Sequence, residues 1–121
     1  MTKVLIVDDS MIQRQLMGHV LEQSGINVFH ATDGMEAWDQ IQLDQFDIVV
    51  LDIIMPRMNG YEVCRKIKTD PKTQNLPVVL CSSKCEEFDR YWGMKQGADA
   101  YLAKPFQPKE LLSTVQQLLR G

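Results

Sequence analysis

The chain has 121 residues, 45% of them hydrophobic and 24% charged, and a formal net charge of −3 at pH 7. That length suits a single domain, read as 1–121, with room for a real core and no second one. The mild acidity gives no basic footprint for direct nucleic-acid contact, and no apolar run approaches the roughly 20 residues of a membrane span, so neither partner is expected.

In chain order, short β-branched runs alternate with longer amphipathic ones. "KVLIV" (3–7) reads as a buried strand and residues 10–25 as a helix, capped by Ser10 and ended by Gly25, with Ile12, Leu16, Met17, Val20 and Leu21 on its inner face. "NVFHAT" (27–32) is a second strand. Residues 34–45 form a second helix with Ala37, Trp38 and Ile41 inward. "DIVVLD" (47–52) is the third strand, and 60–69 a helix that stops before Pro71. "PVVLCS" (77–82) is the fourth strand. The helix 86–97 follows, closed by Gly97, with Tyr91, Met94 and Ala98 expected against the sheet and Phe88 and Trp92 on a second stripe. "AYLAK" (100–104) is the fifth strand, and 108–119 the last helix, with Pro108 in its first turn.

Strands joined by helical crossovers run parallel, and a parallel sheet needs helices on both faces. The pattern predicts an α/β fold, a doubly wound (βα)5 flavodoxin-like open sheet in the order 2-1-3-4-5. In such a sheet ligands bind beyond the carboxyl ends of the strands, where the order reverses. Strands 1 and 3 flank that point and end in Asp8, Asp9 and Asp52. Strand 4 brings Ser82 and Ser83 to the same rim, and strand 5 brings Lys104.

Taken singly, Asp9 and Ser10 suit a helix N-terminus, Ser82 a cap and Lys104 a solvated surface. Asp52 resists such a reading, because it ends a buried run and two more isoleucines follow it. An unpaired buried carboxylate costs several kcal/mol. Crowded carboxylates want a cation, and hard oxygens with open positions suit Mg²⁺, with Mn²⁺ as a substitute. A hydroxyl and an ammonium opposite would hold phosphoryl oxygens, and Asp52 between them can be the nucleophile. Three cysteines (Cys64, Cys81, Cys85) form no disulfide or zinc spacing and read as small apolar residues in a reducing compartment. The opening "MTKVLIVDDS" is no secretory signal, so a cytoplasmic address is expected.

"VDDS" (7–10), "LDIIMPRMNG" (51–60), "LCSSK" (80–84) and "GADAYLAKPF" (97–106), in this order and spacing, resemble the receiver domain of two-component response regulators. The match runs from Lys3 to Leu119. The resemblance implies that Asp52 is phosphorylated and that Asp9, Asp52 and the main-chain carbonyl of Ile54 ligate Mg²⁺, with Asp8 acting through water. It implies that Ser82 moves to the phosphoryl group, that Tyr101 swings inward with it, and that Lys104 precedes a cis peptide to Pro105. Ile54 and Lys84 would border the phosphoryl group. An isoleucine there offers no polar group to orient water, so a long-lived phosphoryl state is expected. "YWGMKQGADAYLAKPF" looks most like small receivers of pilus-driven motility.

The implied protein is a monomeric stand-alone switch and not a turnover enzyme. A sensor histidine kinase or phosphotransfer protein supplies the phosphoryl group, and a downstream protein target reads the face of the fourth helix, fifth strand and fifth helix. Trp92 and Tyr101 are expected as anchors on that face. The alternative is a receiver cut from a longer regulator with a DNA-binding or other output domain. An aspartyl-phosphate phosphatase would want an aspartate at position 54, which is Ile54. A flavin site would want hydroxyls where Asp8 and Asp9 stand.

Overall fold

In a computed structural model describing residues 1–83 and 87–120, the five apolar runs form strands and the stretches between them helices. The elements are β1 (Lys3–Val7), α1 (Met11–Glu22), β2 (Asn27–Ala31), α2 (Gly34–Leu43), β3 (Ile48–Asp52), α3 (Gly60–Thr69), β4 (Val78–Ser82), α4 (Glu87–Lys95), β5 (Ala100–Ala103) and α5 (Pro108–Arg120). Every strand pairing is parallel, and the order is β2-β1-β3-β4-β5, as the alternation required. Glu86, expected to open the fourth helix, lies outside the described residues with Lys84 and Cys85.

Alternation along the strands splits the core into two layers. Leu5, Val7, Val49, Leu51 and Leu80 face α2 and α3, meeting Ala37, Ile41, Val63 and Ile67. Val4, Ile6, Val50, Val79 and Cys81 face α1 and α5, meeting Met17, Leu21, Leu111 and Val115. Each such side chain contributes roughly 1.5–3 kcal/mol by leaving water. Cys64 and Cys81 are free thiols, and burial pushes their pKa values up to about 11 and about 12, which fits apolar filler better than reactive groups.

Side-chain caps fix where the helices begin. Ser10 Oγ accepts from Gln13 N at 3.3 Å, Asp33 from Glu36 N at 2.9 Å and Asn59 from Glu62 N at 3.0 Å. After α1, Gly25 takes the left-handed conformation (φ 81°) that returns the chain to β2.

Two helices present different faces from those the apolar spacing predicts. On α1 the buried residues are Met17, Gly18 and Leu21, while Ile12 and Leu16 are 66% and 59% exposed. A Cβ on Gly18 would stand 3.3 Å from the His30 ring, so α1 approaches β2 through its glycine. On α4 only Gly93 is buried, and Tyr91 and Met94, expected inward, are exposed beside Phe88 and Trp92. The surface of α4 therefore sets Phe88, Tyr91, Trp92 and Met94 among the exposed charges of Glu87, Arg90 and Lys95.

Candidate functional site

The rim where β1 and β3 end is built from main-chain geometry first. β3 runs buried to Leu51 and delivers Asp52 as its last residue, opposite Cys81 of β4. The chain then turns sharply. Gly60 N donates to the Ile53 carbonyl at 2.9 Å, and a Cβ on Gly60 would come 2.5 Å from the Asp52 carbonyl oxygen. Only glycine fits that return.

Asp8, one residue beyond β1, is buried, and its carboxylate is fully engaged. One oxygen accepts Ser10 N–H at 2.9 Å and the other accepts Lys104 Nζ at 2.8 Å. Arg14 donates to the Asp8 carbonyl at 2.7 Å, fixing the backbone between the two aspartates. Asp9 is exposed. Lys104 reaches the rim from the end of β5, and its Nζ also lies 3.5 Å from an Asp52 oxygen. Burial alone would pull the Lys104 ammonium down, but its bond to Asp8 and the charges of Asp52 and Asp8 raise it on balance.

Asp8, Asp9 and Asp52 each bring a carboxylate oxygen to within 4.8 Å of the others. Burial first, then the charges of Asp8 and Asp9, raise the Asp52 carboxyl to about 6, against the pull of Lys104. This set of hard oxygens, with one lysine offsetting part of its charge, fits a divalent cation such as Mg²⁺. Ile54, expected to add its carbonyl, sits two residues beyond Asp52 and is 55% exposed.

Ser82 is buried at the end of β4, close enough to the Tyr101 phenol to pull its pKa down. Tyr61, whose hydroxyl donates to the Asp89 carbonyl of α4 at 3.4 Å, lies near enough to Tyr101 for each phenol to shift the other. Burial pushes the Tyr101 phenol up to about 12, against the opposing effect of Ser82. The expectation that Tyr101 stands at a partner surface is corrected here, because its ring is tucked under Gly93 and is 8% exposed. Trp92, at 41%, does reach the surface. The peptide between Lys104 and Pro105 is cis, as the resemblance implied. Ser83 is exposed on the same rim, and Lys84 lies outside the described residues.

Two neighbours of the site escaped the sequence reading. Arg57, in the turn after Asp52, is ion-paired with Asp33 at the start of α2 at 2.8 Å. Tyr61 lies near Tyr101 and shifts its phenol. Arg57 and Asp33 are separated by 24 residues, and Tyr61 and Tyr101 by a still longer stretch, so local spacing carries no signal of either contact.

Residues 4–116 match the family model of the response regulator receiver domain. The chain belongs to that family. This receiver is 36% identical to protein PilH of Pseudomonas aeruginosa over the full length of both chains. It is 37% identical to the alkaline phosphatase synthesis transcriptional regulatory protein PhoP of Bacillus subtilis, covering 98% of this chain and 48% of PhoP. The chain thus spans about half the length of some of the curated relatives it matches and all of another. Among solved structures, the chemotaxis protein CheY4 of Vibrio cholerae superposes with a TM-score of 0.91 at 35% identity, covering 98% of each chain. Receiver domains work in two-component signalling, with a histidine kinase or phosphotransfer partner and downstream targets, and bind Mg²⁺ at an acidic pocket of this kind. Among the described residues no helix is long and apolar enough to cross a membrane.

Proposed function

We propose that Asp52 accepts a phosphoryl group from a phosphohistidine donor, and that this receiver is a switch and not a turnover enzyme. The observation that carries the reading is the Asp52 carboxylate itself. It is largely buried at a strand end, crowded by Asp8 and Asp9 and faced by one lysine at 3.5 Å. An Asp52 oxygen forms the new P–O bond as the donor's P–N bond breaks, and the leaving imidazole keeps the electron pair. Asp9, Asp52 and the Ile54 carbonyl would hold Mg²⁺, with Asp8 behind them. Bound there, the cation would supply charge neutralisation for the transferring group. Lys104 offers its ammonium, and Ser82 its hydroxyl, to the phosphoryl oxygens.

The nearness of Ser82 to Tyr101, whose ring lies under Gly93, links that chemistry to α4 and β5. A Ser82 hydroxyl that turns to a phosphoryl oxygen changes the surroundings of the Tyr101 phenol, and so biases the α4–β5–α5 surface read by a target. The full-length likeness to PilH and the likeness to CheY4 favour a stand-alone role in motility or taxis, acting in the cytoplasm. The half-length match to PhoP favours a receiver joined to an output domain as the second reading. Incubation with acetyl phosphate and Mg²⁺ should add one phosphoryl group by mass, and Asp52→Asn should abolish it. Labelling that survives that substitution would sink the assignment. Phosphotransfer profiling against the source organism's kinases then identifies the donor.

A further inference from the structure

We propose that the Asp33–Arg57 ion pair sets how tightly the acidic rim holds its divalent cation, with Arg57 as a positioning residue acting through the β3–α3 loop. The inference rests on the metal-dependent reading of Asp52 given above.

Arg57 is the one non-glycine among the described residues with a positive φ, 69°. An arginine gains nothing locally from a left-handed backbone, so its surroundings must hold it there. A three-residue turn closed by Met58 N on the Pro56 carbonyl at 2.8 Å sets that angle, and the guanidinium fork ties the turn to α2. Nε donates to one Asp33 oxygen at 2.9 Å and a terminal nitrogen to the other at 3.0 Å. Asp33 is a fixed anchor, since it is buried and also caps α2 through Glu36 N. The Arg57 side chain is 60% exposed, which excludes a core-packing role.

The fork secures the far end of a loop whose near end is already closed. At its base, Gly60 N bonds to the Ile53 carbonyl at 2.9 Å. At its tip the loop presses on α2 so closely that a Cβ on Gly34 would overlap the Met58 carbonyl, 2.0 Å away. Ile54 lies between base and tip. A loop held at both points presents the Ile54 carbonyl in one place. Without the fork the tip keeps only the packing of Met58 on α2, the loop is held less tightly, and part of the cation's binding energy goes into ordering it. Asp9 and Asp52 sit on the ends of β1 and β3 and stay where they are. The expected effect is therefore weaker cation binding in an intact fold.

The test is a Mn²⁺ titration, read by the paramagnetic resonance of free Mn²⁺, on the native chain and on Arg57→Gly, Arg57→Lys and Asp33→Asn. Glycine accepts the positive φ, so Arg57→Gly should stay folded, melting somewhat lower for want of the fork, while its Kd for Mn²⁺ rises about threefold or more. Asn keeps the α2 cap and loses the charge, so Asp33→Asn should raise Kd similarly, and the double variant no further. Arg57→Lys, an ammonium without the fork, should fall between. A smaller rise in Arg57→Gly, or a double variant whose losses simply add, overturns the clamp while leaving the phosphoryl reading intact. Mn²⁺ affinity that falls in Arg57→Gly as expected, in a native chain that takes no label from acetyl phosphate, would do the reverse. A native chain that binds no Mn²⁺ overturns both.

Discussion

The Tyr101 ring lies directly beneath Gly93: a Cβ built there would stand 3.0 Å from Tyr101 Cδ2 and 3.1 Å from Leu80 Cδ1. Gly93→Ala would raise helix propensity by about 1 kcal/mol, yet the ring must give way. The two effects should nearly cancel in stability, and the phenol of Tyr101 should titrate below its native value of about 12 as it leaves its buried position. Phenolate absorbance and melting temperature check this together. A gain in stability with the Tyr101 titration unchanged would show that α4 lifts and the ring stays.

Lys104 is the counter-charge of a carboxylate with almost no water. Asp8 is 1% exposed and would keep only the Ser10 N–H if the ammonium were removed. Lys104→Met should cost the metal-free protein about 3 kcal/mol, and saturating Mg²⁺ should restore part of that loss. Urea unfolding with chelator and with Mg²⁺ separates the two conditions. Equal destabilisation in both would place the effect in packing of the lysine stem.

The raised Asp52 carboxyl makes metal-free stability depend on pH. Folded, it titrates near about 6, against 3.8 for an ordinary aspartate. Below the lower value both folded and unfolded chains are protonated and there is no penalty. As pH rises through the folded value, the folded chain must carry a charge that it resists, and stability is lost. The loss amounts to roughly 3 kcal/mol at most above that window. Asp52→Asn cannot ionise, so unfolding curves in chelator should show it gaining on the native protein from about pH 4 to about pH 6 and level thereafter. A constant difference across that range would assign the charge strain to other groups.

The exposed face of α4 predicts a tolerant Trp92. With the ring 41% exposed, beside Phe88 at 71%, Trp92→Ala should shift stability by no more than about 1 kcal/mol and leave acetyl phosphate labelling unchanged. A loss near 3 kcal/mol in thermal unfolding would mark it as a core residue. If α4 is the face a target reads, the same variant should weaken that binding.

The strand runs and the order of the sheet were legible because burial on both faces leaves strands that are almost purely apolar, and a crossover allows one hand. The rim residues were legible for the opposite reason. Asp8, Asp52 and Lys104 interrupt or end those runs, and topology alone brings them together. The faces of α1 and α4 were not legible. Each packs through a glycine, Gly18 or Gly93, which apolar spacing does not count, and each is turned so that larger side chains point to solvent. Arg57 and Asp33 were hidden because their bond depends on a backbone angle that the sequence does not announce.

The sheet order described above also decides which parts of the backbone open together. β1 pairs with β2 and β3 on its two edges, and Val4 through Val7 are 0% exposed. Amide protons along β1 and β3 should therefore trade for deuterium only when the whole domain unfolds. The amides of the loop between Met55 and Asn59 lie outside any strand ladder, with Met58 N bonded only to the Pro56 carbonyl two residues back, and should trade far sooner, by local opening. Asp52 stands on the seam between these two regimes. Its carboxylate is carried by the last backbone to open, and the loop beside it can loosen and close again without disturbing a single strand pairing.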